Sequence, residues 1–170
     1  MAGAPSNEPS ASEVFDGLKA FQNLQRERAL AHLKRAIAAS RIPADEVEPL
    51  ALVALKSEQW EARHGGLLAA AEMIAAWDRP DFRDKILEAI PELLKDSEYR
   101  VRKAIGNVLL ECSKREGLAI YDRVSPAVLK DIEATFHRKS QEPEVQEGET
   151  VPPPSFLPDT TGWQTLETSM

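Results

Sequence analysis

The chain has 170 residues, 42% of them hydrophobic, which is enough for one domain with a buried core. No stretch approaches 18 apolar residues, so nothing in the sequence reads as a membrane span, and the single cysteine, Cys112, excludes an internal disulfide. The net charge of −7 sits at the ends: all 21 Lys and Arg and 21 of the 28 acidic residues lie within residues 13–140, so the body is neutral and offers no domain-wide basic footprint for nucleic acid.

Residues 1–11 are small, polar and proline-containing and are expected to be disordered. They lack the basic residue and apolar run of a signal or transit peptide, which suggests the cytoplasm or the nucleus. A helical domain is expected over 12–138. Ser10–Glu13 has capping-box spacing and starts the first helix. Val14, Leu18 and Phe21, then Leu30, Leu33 and Ile37, keep helical spacing, and the polar run Gln25–Arg28 marks a break between two shorter helices. Residues 13–41 hold six basic and three acidic residues, which reads as a solvated helix face.

The chain then repeats itself. Residues 54–74 align without gaps on 93–113 at an offset of 39, matching Leu55 with Leu94, Lys56 with Lys95, Arg63 with Arg102 and Glu72 with Glu111. Each block predicts a helical hairpin: 45–57 with 58–76, and 81–95 with 97–114. Phe82, Ile86, Ile90 and Leu93 form one apolar stripe, and Val101, Ile105, Val108 and Cys112 the facing one. Asp96 or Ser97 stands where the cap between those helices is wanted, and Gly117 closes the second helix. A further helix is expected from Ser125, with Pro126 at its first position. Residues 139–160, rich in Glu and Pro, are expected to be a disordered insertion, and 161–170 to start another helix that is cut short.

Gly65 and Gly66 lie inside the helix 58–76, where each costs about 1 kcal/mol relative to alanine. With Ala69, Ala70 and Ala71 they predict a seam along which neighbouring backbones approach closely, with Ala104 and Gly106 supplying a thinner version one repeat later.

The segment 91–111, with Pro91, "LLKD" and "VRKA", resembles a HEAT repeat, and 55–66 is a looser copy. The resemblance implies an all-α, α-α superhelix (a HEAT/armadillo-like solenoid) of two to three helical hairpins with disordered termini. It also implies a ladder between repeats made by Asp96, Arg63 and Arg102, beside the tight packing at Gly65 and Gly66. Trp60, at the inter-helix turn, is similar to the Trp of TOG domains, tubulin-binding HEAT arrays, and residues 63–73 look like segments of tubulin-folding cofactors. That resemblance points to a non-catalytic scaffold binding a protein partner, tubulin being the first guess, through Trp60, Arg63, His64, Tyr99, Arg102 and Lys103.

Chemistry has little support in the sequence. His32, His64 and His137 have no second ligand at metal spacing, and no phosphate loop or paired carboxylate stands out, so no metal, cofactor or small-molecule substrate is expected. Cys112 completes an apolar stripe and reads as a buried, inert thiol. A spacer or cap of a larger array is one alternative. A DNA glycosylase on a helical-repeat scaffold is another, set aside because the body is neutral and no catalytic Asp flanked by Trp and several Arg is apparent.

Overall fold

The computed structural model describes residues 9–140, with side chains to residue 134. The expectations for 1–8, 141–160 and 161–170 lie outside the described residues. Within these the protein is all-helical: α1 (Ala11–Leu18), α2 (Asn23–Ala38), α3 (Ala44–Leu55), α4 (Trp60–Ala76), α5 (Pro80–Leu93), α6 (Tyr99–Glu116) and α7 (Ala119–Ser140). The pairs α1/α2, α3/α4 and α5/α6 are hairpins. Helices α2, α4 and α6 stack as one layer, and α1, α3, α5 and α7 as the other, an α-α superhelical arrangement.

The helices start and stop for identifiable reasons. Ser10 accepts the Glu13 N–H while the Glu13 carboxylate accepts the Ser10 N–H at 2.7 Å, a complete capping box. The break between the first two helices falls at 19–22, earlier than the polar run at 25–28, because Arg26 is buried and bonds back onto the turn. Phe21 consequently sits in that turn, 83% exposed. Glu98, rather than Asp96 or Ser97, caps α6 by accepting the Arg100 N–H. Gly117, at φ 61°, ends α6 in a conformation that favours glycine. Helix α7 begins at Ala119, so Ser125 and Pro126 lie inside it instead of at its start.

One continuous core runs between the layers. Both predicted stripes are buried, from Phe82, Ile86, Ile90 and Leu93 to Val101, Ile105, Val108 and Cys112. Trp77, at the C-cap of α4, packs partly buried against this core. Helix α4 lies at the centre, and its glycines explain how. A Cβ on Gly65 would stand 2.4 Å from the Leu18 carbonyl oxygen, and one on Gly66 would stand 2.9 Å from the Ala54 Cβ. The glycines therefore let α4 sink onto the end of α1 and the face of α3, the opposite layer. The predicted seam with neighbouring second helices does not include Gly106, which is exposed and has nothing within 4 Å of its missing Cβ.

Ion pairs tie the far end of the stack. Arg83, 8% exposed, bonds Glu116 and Asp78, and Arg123 bonds Glu116 at 3.0 Å and Asp84 at 2.8 Å, which links α5, α6 and α7. Burial opposes ionisation of Glu116, yet the two guanidinium groups hold its carboxyl below the usual range.

Candidate functional site

Each hairpin turn is closed by an arginine at the fourth position of the second helix. Arg26 donates to the Ala20 and Phe21 carbonyls at 2.7 and 2.8 Å. Arg63 donates to those of Ser57 and Glu58, both at 2.8 Å, and Arg102 to those of Asp96 and Ser97 at 2.7 and 3.3 Å. These carbonyls lie in the turn between the two helices of each pair, outside the helical hydrogen-bond ladder, so the guanidinium supplies the missing donors. Arg63 also grips both oxygens of Asp96 in the next turn, at 2.6 and 3.0 Å. Asp96 in turn accepts the Glu98 N–H at 2.9 Å.

This bracing sets a group of side chains around Trp60, which opens α4 and is half-buried. The guanidinium carbons of Arg26 and Arg100 each lie 5.1 Å from the Trp60 ring centroid, within cation–π range. The His64 ring centroid is 6.2 Å from that of Trp60. His64 lies one turn along α4, half-buried, and its Nδ1 is buried without a protein partner. Burial, followed by the charges of Arg26 and Arg100, lowers its pKa, while Glu98 pulls the other way. At neutral pH the ring is therefore uncharged. The Glu98 carboxylate, 29% exposed, lies 3.7 Å from the Arg100 guanidinium.

The two arginines at Trp60 differ. Arg26 is 3% exposed, fixed by its turn bonds and by Asn23 at 3.1 Å. The Arg100 side chain is 59% exposed, and its ion pair with Glu98 is 3.7 Å long. Of the residues singled out in the sequence, Trp60 and His64 thus share one cluster with Arg63 beside it. Tyr99 is 54% exposed, under the Arg102 guanidinium at 5.7 Å, and Lys103 is exposed. Arg102 is 3% exposed, with donors on its own turn. Arg26, Glu98 and Arg100 escaped the sequence reading. Arg26 was findable, because Lys19 and Arg26 repeat the spacing of Lys56 and Arg63 and of Lys95 and Arg102.

Elsewhere the outer face of the second-helix layer holds a groove of about 460 Å³. Its charges cancel in pairs, Lys34 with Glu72 at 2.8 Å and Lys114 with Glu111 at 2.6 Å. Cys112 is fully buried, and desolvation pushes its thiol up to about 11, which makes it unreactive. Among the described residues no group of His, Cys, Asp and Glu is placed to hold a metal ion.

A family model described as DNA alkylation repair enzyme matches residues 32–122. No curated protein and no solved structure matches the chain. The family match overturns several expectations. The assignment to HEAT/armadillo repeats, the likeness to tubulin-binding TOG domains and tubulin-folding cofactors, and the non-catalytic protein-binding scaffold all give way to a DNA-repair family. So do the spacer reading and the expected absence of enzymatic activity, nucleic acid and substrate. The features behind the resemblance, small residues in α4 and an Arg and an Asp at the turns, are what any stack of helical hairpins needs. They report packing and carry no information about partner. The charge argument failed because a sum over the body says nothing of how individual charges are placed on its surface. The alternative set aside for its neutral body, a repair enzyme on stacked hairpins, is the one the match favours, and with more than half of its length inside that match the chain belongs to the DNA alkylation repair enzyme family.

Proposed function

We propose that this protein acts on alkylated DNA, taking the damaged base at the Trp60 cluster and cleaving its bond to the sugar. Alkylation of a purine ring nitrogen leaves a cationic base. An indole face attracts such a cation, and a damaged base leaves the stack at lower cost than an intact one. The observation that carries the reading is the convergence of Trp60, His64, Arg100 and Glu98 at the hairpin-turn edge of the stack, His64 being held neutral there.

In this reading the C1′–N bond breaks and its electron pair neutralises the base. The Glu98 carboxylate stabilises the positive charge that develops on the sugar. Water adds to C1′ through its oxygen and gives its proton to His64. Arg100, Lys103 and Lys56, all exposed near the turns, meet phosphates.

The test is release of free 7-methylguanine from a duplex oligonucleotide, followed by chromatography. The native protein is expected to release it, and Glu98→Gln to slow release by about 10²-fold or more while retaining binding. Absence of both release and preferential binding to the methylated duplex would overturn the proposal.

A further inference from the structure

We infer that Arg100 is a two-position cation that covers Trp60 in the free protein and leaves it for a backbone phosphate when a base enters. The inference rests on the Trp60 reading above and adds an order of events to it. Arg26 and Arg100 stand at the same 5.1 Å from the indole centroid, but their anchoring is opposite. Three hydrogen bonds and near-complete burial fix Arg26. The Arg100 side chain is 59% exposed, and its contact with Glu98 is 3.7 Å long. Its backbone is nonetheless secured, since Glu98 accepts the Arg100 N–H at 3.3 Å at the start of α6. The pivot is fixed while the charged tip is free.

An exposed cation–π contact is cheap to break, and a phosphate beside the base offers the guanidinium a bidentate, charge-assisted partner. A base without a phosphate must displace Arg100 with only water and the long Glu98 contact to receive it. A base carrying one supplies both the ring for Trp60 and the acceptor for Arg100. Phosphate binding and base binding are thereby coupled, and the coupling is reciprocal. Arg100 thus selects nucleotides within a strand over free nucleosides.

The test follows the indole N–H resonance of Trp60, identified with Trp60→Phe, during titration with 1-methyladenosine or its 5′-monophosphate, both cationic at the ring. The native protein is expected to bind the monophosphate more tightly. Arg100→Ala is expected to bind the nucleoside about two- to fivefold more tightly than the native protein, the equivalent of one exposed cation–π contact of roughly 0.5–1 kcal/mol, and to lose the preference for the monophosphate. Unchanged thermal unfolding of Arg100→Ala ensures that both titrations report a folded protein. If Arg100→Ala weakens the monophosphate and leaves the nucleoside unchanged, Arg100 is a simple phosphate contact and the cover is overturned. The same holds if neither affinity moves. If neither ligand shifts the Trp60 resonance in either protein, the Trp60 site itself is wrong.

Discussion

Gly65 and Gly106 are both glycines in helix interiors, yet opposite outcomes are expected on adding a methyl group. Gly65→Ala drives a Cβ against the Leu18 carbonyl oxygen, a backbone atom that moves only if α1 moves. It is expected to destabilise by about 1–3 kcal/mol or more. Gly106→Ala meets nothing within 4 Å and removes a helix-disfavouring residue, so a gain of up to about 1 kcal/mol is expected. Urea denaturation of the two variants checks both signs. Arg63 is expected to show the largest cost among the turn arginines. Arg63→Met leaves the Asp96 carboxylate, with a side chain 4% exposed, without its ion-pair partner, at a cost of about 3–5 kcal/mol. His64 gives a pH signature. Its folded pKa is lowered, so below about 6.5 the unfolded chain binds a proton that the folded protein resists. Stability is therefore lost as pH falls from about 6.5 through the folded value, and above 6.5 His64 contributes no pH dependence. Thermal unfolding of His64→Gln between pH 7.5 and 5 is expected to show a shallower loss than the native protein.

The turn arginines also show what the sequence discloses about each element. The hairpins of 45–115 are legible because two copies lie 39 residues apart and keep helical spacing. The first hairpin is a third copy, 37 residues ahead, with Lys19 and Arg26 standing for Lys56 and Arg63. It hides because the two-residue difference breaks a gapless comparison, and because Arg26 within a polar run reads as solvated when it is buried. The site was half legible. Trp60 and His64 stand out by residue type, but Glu98 and Arg100 have no counterpart in the preceding repeat, where Gln59 and Glu61 stand. A charge that departs from the repeat is visible only once the repeat is aligned. The start of α7 was misread because Ser-Pro is a good opening, although Pro126 is also tolerated inside the helix. Helix α7 has no fully buried side chain between 119 and 134, whereas α4 buries nine residues. Amide hydrogen exchange is accordingly expected to be faster along α7 than along the middle of α4.

For the molecule as a whole, the balance of charge decides where a duplex lies. The groove on the second-helix layer spans three helices and has the size to attract attention, but its lysines are paired with Glu72 and Glu111. Phosphates gain little there. At the turn end Arg100, Lys103 and Lys56 are exposed. If about three cations meet phosphates, the logarithm of duplex affinity should fall with the logarithm of salt at a slope of about −3, since each phosphate contact contributes about −0.9. Fluorescence anisotropy of a labelled methylated duplex between 50 and 200 mM salt, concentrations chosen to span the usual range, measures that slope. Charge reversal then separates the two surfaces. Glu72→Lys with Glu111→Lys frees the groove lysines and adds two cations. With the duplex at the turn end the slope stays near −3, while with the duplex along the groove it steepens by several units. Replacing Arg100 and Lys103 by alanine has the converse effect, flattening the slope by about two only if the turn end is the surface in use. A steepening in the first variant together with no change in the second would move the DNA onto the second-helix layer and leave Trp60 off its path.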